Sequence, residues 1–378
     1  MKKILLLCVT SQNVVTFRAG LIKTLQEKGC AVSVIAFDDA YRAEIETLNV
    51  DFYCIKEENR GINPLKILTL KGKYKKLIRQ INPDTVFTFM LKPNTFGVMA
   101  AKSAGIKSIY SMVEGAGDVF IKGGLKWKMI RLVVCTLYKR AFKTSKKVFF
   151  LNGDDQAEFV ARGLVKKEQC ELIHGIGVDL DKFAFVPVKN DRTFLMVARM
   201  LETKGVYEYC KCARIVKQQY PDAVFHYLGA EGNVHLADIR EYIDDGSIEY
   251  LGTAKDVRPY LEDCSALLLP SFREGMPMSI MEAEAVGRAI VTTDNVGCRD
   301  TVIDGYNGFL VAQKDYEAMA EKCIWLIENF EKVKEMGANA RCFAEERFDA
   351  KKINSIIAKE VALDHEVQKD DAWSTVRL

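Results

Sequence analysis

Two glutamates are separated by eight positions in a segment that passes from a loop into a helix. The segment reads Ser-Phe-Arg-Glu-Gly-Met-Pro-Met-Ser-Ile-Met-Glu and puts Glu274 in the loop and Glu282 in the helix. A helix N-terminus has free backbone N–H groups and a partial positive charge, which together bind anions. Carboxylates on either side of that anion site can accept hydrogen bonds from hydroxyl groups. The pattern therefore favours a nucleotide sugar as ligand, and a capping glutamate beside a solvated one is the structural alternative.

Two cations, Arg199 and Lys204, follow an apolar strand expected at 193–198. Ligands bind at the carboxyl ends of the strands in doubly wound sheets. When a site binds a diphosphate group without a metal ion, Arg and Lys side chains and helix N-termini must neutralise the negative charge of that group. The position of the pair predicts phosphate binding, and a solvated pair of loop residues is the alternative.

Short apolar strands alternate with helices through the whole chain. We predict strands at 4–9, 31–36 and 85–89 and a helix at 14–28 in the first half, then strands at 193–198, 224–228, 248–251, 266–269 and 289–292 in the second. This alternation indicates parallel sheets with crossover helices. The predicted fold class is α/β, with two doubly wound lobes and a hinge near 186–191.

The stretch 266–311 resembles the donor-binding signature of the retaining glycosyltransferases of family 4. Beyond Glu274 and Glu282 it contains Gly-Arg-Ala-Ile-Val, Gly297 and the run Asp-Gly-Tyr-Asn-Gly-Phe-Leu-Val. Members of this family have the GT-B fold, in which two Rossmann-like lobes face each other across a cleft. The resemblance implies an N-terminal acceptor- and membrane-facing lobe (1–185), a C-terminal nucleotide-sugar-binding lobe (186–347), a helix that crosses back to the first lobe (348–363) and a tail that we expect to be mobile (364–378).

The resemblance also assigns roles to the donor-binding residues. Glu282 is expected to hold the ribose hydroxyls, Glu274 the donor sugar, and the two cations the diphosphate. Main-chain groups near 229 and 252–256 are expected to contact the base. The donor-binding set is Arg199, Lys204, Gly229, Thr253, Glu274, Gly275, Met276, Pro277, Met278, Ser279 and Glu282. The UDP-sugar is a substrate in this scheme, and we expect neither a cofactor nor a metal.

The first lobe departs from the family pattern at one position. Many members carry a histidine in a Val-His-Gly context that contacts the donor sugar, whereas no histidine precedes His174 in this chain. The corresponding stretch, Ser-Met-Val-Glu-Gly-Ala-Gly-Asp, has Glu114 in that place. We assign Glu114 to the catalytic set with Arg199, Lys204 and Glu274, as a base or as an acceptor for a hydroxyl group. A turn with a capping acid is the alternative.

Motifs of the first lobe narrow the resemblance to one group of bacterial members. Phe17-Arg18, Lys92-Pro-Asn94 and the Val-Glu-Gly-Ala-Gly run resemble those that add N-acetylgalactosamine to bacillosamine on a polyprenyl diphosphate in N-linked glycan assembly. The likeness implies a UDP-N-acetylhexosamine donor and a polyprenyl-diphosphate-linked sugar acceptor. Phe17, Arg18, Lys92 and Asn94 are expected on the acceptor and membrane side. The alternatives are a transferase for another cell-envelope or soluble acceptor, or a catalytically silent nucleotide-sugar-binding protein.

The charge of the chain is divided unevenly. Residues 1–185 contain 30 Lys+Arg and 18 Asp+Glu, a net charge of +12, which leaves 24 and 33, or −9, for 186–378. The stretch 121–147 contains nine Lys or Arg and no acid, and a second basic patch lies at 71–76. A basic amphipathic helix suits an anionic membrane surface. We expect Lys126, Lys128 and Arg131 to contact the membrane, and a core-packed helix with a solvated basic face is the alternative.

One face of that helix is predicted to be apolar, and it is formed by Met129, Ile130, Val133, Val134, Leu137 and Ala141.

Composition excludes several other classes of protein. A chain of 378 residues is long enough for two domains with their own cores. Its eleven cysteines, an odd number without paired spacing, favour a reducing compartment, and the four histidines form no zinc-ligand spacing with them. Asp179-Leu-Asp181 resembles a metal-binding Asp-x-Asp, but we interpret it as structural. No Gly-x-Gly-x-x-Gly follows the first strand, which disfavours a dehydrogenase.

The N-terminal apolar run is too short for a signal peptide and lacks a cleavage site. No apolar run reaches the roughly 20 residues that span a bilayer. No recognised nucleic-acid-binding motif accompanies the basic patches. We therefore expect a cytoplasmic protein that is peripheral on the cytoplasmic face of the inner membrane and does not bind nucleic acid.

Overall fold

The computed structural model describes residues 1–57, 64–121, 123–189 and 192–362, and it contains two lobes, each built on a parallel sheet. This arrangement confirms the α/β class and the two doubly wound lobes. The tail at 364–378 and residues 190 and 191 of the expected hinge lie outside the described residues.

The first lobe has a seven-stranded parallel sheet in the order β3-β2-β1-β4-β5-β6-β7. Its strands are β1 (Lys3–Leu7), β2 (Ala31–Ala36), β3 (Asp51–Cys54), β4 (Thr85–Phe89), β5 (Ser108–Val113), β6 (Lys147–Phe150) and β7 (Cys170–Leu172). The predictions for β2 and β4 are confirmed at both ends, and β1 lies slightly earlier than predicted. The other four strands were not predicted.

Helices cover both faces of this sheet. They are α1 (Ser11–Phe17), α2 (Ala19–Glu27), α3 (Arg42–Glu46), α4 (Pro64–Ile81), α5 (Val98–Ser103), α6 (Asp118–Ile121), α7 (Leu125–Phe142) and α8 (Gly153–Ala161). The prediction of one helix over 14–28 was wrong. Arg18 lies between α1 and α2 with a φ of −118°, well away from the helical value near −63°, so the axis breaks there.

The second lobe has a six-stranded parallel sheet in the order β10-β9-β8-β11-β12-β13. Its strands are β8 (Thr193–Val197), β9 (Val224–Leu228), β10 (Glu249–Tyr250), β11 (Ala266–Leu269), β12 (Ala289–Thr293) and β13 (Gly308–Val311). Five of the six were predicted to within two residues. The edge strand β13 was not predicted.

The helices of the second lobe follow its strands in turn. They are α9 (Val206–Gln219), α10 (Arg240–Asp244), α11 (Arg258–Asp263), α12 (Met278–Val286), α13 (Tyr316–Glu328) and α14 (Phe330–Arg347), and a final helix is α15 (Ala350–Ala362).

The final helix α15 lies against α2 of the first lobe. Lys2 Nζ donates a hydrogen bond to the carbonyl oxygen of Ala362 at 3.1 Å. The interdomain residue Val178 donates to the Phe348 carbonyl at 2.7 Å and accepts from the Ala350 N–H at 3.1 Å. These contacts hold the returning chain beside the first lobe.

The carboxyl ends of the two sheets face one another. All four residues of β11 are buried, as expected for a strand covered on both faces. The loop that follows β11 meets the loop that follows β6, because Asn152 Nδ2 donates to the Gly275 carbonyl oxygen at 2.6 Å. The cleft between these ends is where ligands bind in doubly wound sheets.

Candidate functional site

The loop between β11 and α12 is held in place by two neighbouring turns. The Phe272 N–H donates to the Thr203 carbonyl at 2.9 Å, and the Glu274 N–H donates to the Val296 carbonyl at 3.0 Å. Gly297 has a φ of +79°, and a Cβ there would lie 2.4 Å from the Glu274 carbonyl oxygen. Only glycine fits this position. The loop that carries Glu274 is therefore fixed at its base.

Helix α12 begins at the mouth of the cleft. Its N-cap is Pro277, which has no side-chain capping bond, and the first N–H groups of a helix have no intrahelical acceptor. The backbone N–H groups of Met278 and Ser279 are therefore available to bind an anion, whereas the Met276 side chain is buried.

Glu282 lies in the second turn of α12 and lines a cavity of about 830 Å³ that extends from Met278 to α2 of the first lobe. Burial raises the pKa of the Glu282 carboxyl to about 7, while Lys182 lowers it and Asp256 raises it. A carboxyl group with this pKa changes charge near neutral pH. The sequence did not single out Lys182, which lines the same cavity.

The two predicted phosphate cations lie at the carboxyl end of β8, but in different settings. Arg199 is exposed at the edge of the cleft. Lys204 Nζ forms an ion pair with Glu274 Oε1, which also accepts from Ser271 Oγ at 2.6 Å. The structure therefore brings Lys204 and Glu274 into direct contact, although they are 70 positions apart.

Gly229 and Thr253 lie on the same edge of the second sheet. A Cβ on Gly229 would lie 1.8 Å from the Ala198 carbonyl oxygen, so the backbone segments pack too closely for a side chain. The Gly229 N–H donates to the Gly252 carbonyl at 2.8 Å, and Thr253 is exposed.

Glu114 of the first lobe lies directly opposite the loop between β11 and α12 (residues 270–277), which we call the donor loop after its predicted role. A Cβ on Gly275 would lie 1.8 Å from the Glu114 carbonyl oxygen, so these two backbones touch across the cleft. The Glu114 carboxylate pairs with Arg18, whose side chain is only 3% exposed. The guanidinium of Arg18 lies 4.1 Å from the ring centroid of Phe89. Glu114 therefore has a fixed orientation at the cleft.

The structure corrects the expectation for Arg18. Its side chain is buried and pairs with Glu114, so Arg18 acts inside the lobe and does not reach a membrane. Burial lowers the pKa of Arg18 to about 10, which leaves the guanidinium charged at neutral pH.

The expectation that Asn94 faces the acceptor was also wrong. Asn94 is fully buried, its Oδ1 accepts from Thr88 Oγ1 at 2.7 Å, and its Nδ2 donates to the Met112 carbonyl at 2.7 Å. Both ends of the amide are satisfied within the lobe, so it joins β4 to β5. Lys92 lies with its Nζ 5.9 Å from the ring centroid of Phe37, and Phe17 lines the cavity beside Glu282.

Helix α7 exposes part of the apolar face that the sequence predicts. Val134 and Ala141 are buried, whereas Met129 and Val133 are 64% and 49% exposed, so a single apolar face was the wrong prediction. Leu125 and Leu132 are exposed as well. Together, Leu125, Met129, Leu132 and Val133 form a solvent-facing stripe that we call the apolar ridge.

The predicted membrane cations on α7 differ in their contacts. Lys126 and Lys128 are exposed on either side of the apolar ridge. Arg131 Nε donates to the Val119 carbonyl at 2.7 Å, which holds it against α6. Helices α4 and α7 both pack against a π-helical turn at Pro93–Gly97, so the two basic patches lie on the same side of the lobe.

Several contacts between the lobes were not predicted. Arg273, one residue before Glu274, pairs with Asp155 and Glu158 of α8. The sequence contains a partial signal for this cluster, because Asn152-Gly-Asp-Asp after β6 has the form of a helix N-cap. It does not identify the partner on the other lobe.

The acidic pair Asp179 and Asp181 makes protein contacts. Asp179 Oδ1 accepts from the N–H groups of Asp181 and Lys182, each at 3.0 Å, and Asp181 pairs with Lys351 at 2.6 Å. Across the part of the chain that the structure describes, no three His, Cys, Asp or Glu side chains form a metal-binding group.

Models of known families match both lobes of this chain. Residues 3–152 match the "Glycosyl transferase 4-like" family, and residues 191–329 match "Glycosyl transferases group 1". The fold is similar to that of HepE from Anabaena, solved with UDP and glucose, with a TM-score of 0.80 at 19% identity over 96% of this chain and 100% of that one.

Curated relatives extend over most of the chain. It is 30% identical over 327 residues to the N,N'-diacetylbacillosaminyl-diphospho-undecaprenol alpha-1,3-N-acetylgalactosaminyltransferase of Campylobacter jejuni, covering 83% of this chain and 86% of that protein. It is 27% identical over 301 residues to the UDP-Gal:alpha-D-GlcNAc-diphosphoundecaprenol alpha-1,3-galactosyltransferase of Escherichia coli, covering 74% and 73%. With both lobes matched and the donor loop at the cleft, this chain belongs to the family 4 glycosyltransferases with the GT-B fold.

Proposed function

We propose that this enzyme transfers N-acetylgalactosamine, or a related N-acetylhexosamine, from a UDP-sugar to a sugar carried on a polyprenyl diphosphate, with retention of configuration. The observation that carries the proposal is the backbone contact between Glu114 and Gly275, which brings the first-lobe loop that contains Glu114 against the donor loop. The similarity to the Campylobacter jejuni transferase, which extends over both lobes, supports the sugar and the lipid carrier.

The second lobe holds the donor in this proposal. Glu282 accepts hydrogen bonds from the ribose hydroxyls, and the N–H groups at the start of α12 meet the diphosphate. Arg199 and Lys204 neutralise the charge that develops on the departing UDP, because an oxocarbenium-like transition state places negative charge on the leaving group. Lys204 already contacts Glu274, so the phosphate cation and the sugar-binding carboxylate are adjacent.

Glu114 acts on the hydroxyl groups at the reacting centre. Its pairing with Arg18 fixes one carboxylate oxygen, and its backbone lies against Gly275 at the cleft. A carboxylate in this position accepts a hydrogen bond from a sugar hydroxyl and contributes to proton removal from the acceptor.

A transfer assay tests the proposal. Purified protein is incubated with UDP-GalNAc, UDP-GlcNAc, UDP-Gal or UDP-Glc and with either undecaprenyl-diphosphate-bacillosamine or undecaprenyl-diphosphate-GlcNAc. We expect UDP-GalNAc with the bacillosamine acceptor to give the fastest transfer and an α-linked product by NMR. Transfer only to the GlcNAc carrier would favour the activity named for the Escherichia coli relative, and a β-linked product would contradict retention.

Membrane contact through α7 is the second part of the proposal. The apolar ridge is flanked by Lys126 and Lys128, and the basic helix α4 lies on the same side of the lobe. Apolar side chains that enter the headgroup region and lysines that meet anionic lipids act together in interfacial helices. Among the described residues, no helix is both long and apolar enough to cross a bilayer.

Vesicle binding tests this contact. We expect the Lys126→Glu/Lys128→Glu variant and a Met129→Ser/Leu132→Ser variant to lose binding to vesicles that contain phosphatidylglycerol, with activity retained on a short water-soluble acceptor. The matched control is Lys332→Glu/Lys334→Glu, which makes the same charge change at exposed positions of the second lobe. Equal binding by the α7 variants and the control would refute the contact.

A further inference from the structure

One buried carboxylate of the first lobe contacts both loops that face the donor sugar. Asp155, near the start of α8, is only 1% exposed. Its Oδ2 accepts from the Ala116 N–H at 3.1 Å and from Asn152 Nδ2 at 3.2 Å, and its Oδ1 accepts from Arg273. Ala116 follows Glu114 by two positions, so this side chain is tied to the Glu114 loop as well as to the second lobe.

The second lobe is held on both sides of Glu274. Arg273 precedes Glu274, and its Nη2 reaches Asp155 and also Glu158 Oε2 at 2.9 Å. Gly275 follows Glu274, and its carbonyl accepts from Asn152 Nδ2 at 2.6 Å. The Arg273 side chain is 15% exposed, so water screens this ion pair far less than it screens a surface pair.

We propose that Asn152, Asp155 and Arg273 form an interlobe latch that sets the spacing between Glu114 and Glu274 and thereby holds the lobes in the reactive arrangement. The three residues are positioning residues, because they act through the two loops and not on the substrates. This inference rests on the proposed function only for its effect on turnover. The effect on lobe spacing is independent of the substrate.

The latch separates donor binding from chemistry. The groups assigned to UDP, namely Arg199, Lys204, Glu282 and the start of α12, all belong to the second lobe. Opening the latch leaves them together but moves Glu114 away from the sugar. A displacement of the order of 1 Å costs up to about 100-fold in rate. Loss of the latch should therefore lower kcat while UDP binding is retained.

The test uses the full-length protein and substitutions at Arg273. Arg273→Met removes both ion pairs at similar side-chain length, and Arg273→Lys keeps the charge. The control is Arg162→Met, which removes another arginine from Glu158 but lies entirely within the first lobe. Asp155→Asn is a second route to the same loss, since it keeps the shape of the side chain and removes its charge. Thermal unfolding identifies any variant that fails to fold.

We expect Arg273→Met to lower kcat about 10- to 100-fold, with the UDP dissociation constant within about threefold of the parent, and Arg273→Lys to recover part of the rate. The radius of gyration of Arg273→Met in X-ray scattering should exceed that of Arg162→Met. The kcat of the Arg273→Met/Asp155→Asn double variant should be no lower than that of the slower single variant. A kcat equal to that of Arg162→Met, a loss of UDP affinity as large as the loss of kcat, or additive effects in the double variant would overturn the latch. Absence of transfer by the parent protein would contradict the proposed function instead, and the scattering comparison would still decide the latch.

Discussion

Lowering the pH from about 8 to about 6 should weaken UDP-sugar binding through a single carboxyl group, Glu282. Burial raises the pKa of this group to about 7, with Lys182 lowering it and Asp256 raising it. Hydroxyl groups that donate to a carboxylate favour its charged form, so the pKa is lower in the complex than in the free protein. Binding therefore releases a proton near neutral pH, and the affinity rises as the pH rises through 7.

The size of the effect follows from the fraction of Glu282 that is ionised. With a pKa of about 7, the free protein is ionised to roughly one tenth at pH 6 and roughly nine tenths at pH 8. If only the carboxylate binds the ribose, the dissociation constant increases about tenfold from pH 8 to pH 6. This corresponds to a loss of about 1.4 kcal/mol in binding free energy.

Calorimetry with UDP-GalNAc at pH 6, 7 and 8, in buffers with different ionisation enthalpies, measures both the affinity and the released proton. UDP-GalNAc is preferable to UDP, because the terminal phosphate of UDP titrates near pH 6, about where phosphate monoesters do. The matched control is Glu282→Gln, which keeps the size of the side chain and should bind weakly with no pH dependence. A parent affinity that stays flat across this range, or an equal slope in Glu282→Gln, would refute the reasoning.

Four further predictions follow from the same site and its supporting core. Arg199→Ala and Lys204→Ala should each raise the barrier by about 2–4 kcal/mol in steady-state turnover, and near-normal rates in both would remove them from the leaving-group role. Glu274→Gln should retain UDP affinity and lose the preference for UDP-GalNAc over UDP, whereas equal losses for both ligands would contradict a sugar-specific role. Burial raises the pKa of Glu284 well above its usual value of 4.5, so folding keeps it protonated and the parent loses stability as the pH rises above 4.5. Glu284→Gln keeps the hydrogen-bond acceptor for Asn307 and cannot ionise. The melting temperature of Glu284→Gln minus that of the parent should therefore rise between about pH 5 and pH 8, and a difference that stays constant would be inconsistent with a buried neutral acid. Activity should persist in excess EDTA, and loss in EDTA with recovery in manganese would show that cationic side chains do not suffice.

Local spacing accounts for the part of the site that the sequence predicted. Glu274 and Glu282 lie within one segment. The end of strand β11, the loop up to Pro277 and the periodicity of helix α12 fix the positions of these two residues relative to each other. The same local rules predicted most strands of the second lobe, where apolar runs end at clear loop residues. They failed at residues 14–28, where the chain departs from helical geometry at Arg18, whose side chain pairs with Glu114 far along the chain.

The sequence by itself determined the α/β class, the loop with Glu274 followed by the helix with Glu282, and the position of Arg199 and Lys204 after β8. Each of these depends on neighbours within a few residues, which helix and strand geometry relates directly. Only the tertiary structure decided that Arg18 supports Glu114, that Asn94 is internal, and that α7 buries one apolar stripe while exposing another. Arg273 and Asp155, 118 positions apart, meet for the same reason. Side-chain partners across a cleft depend on how the two lobes are placed relative to each other, and the spacing of residues along the chain does not predict that placement.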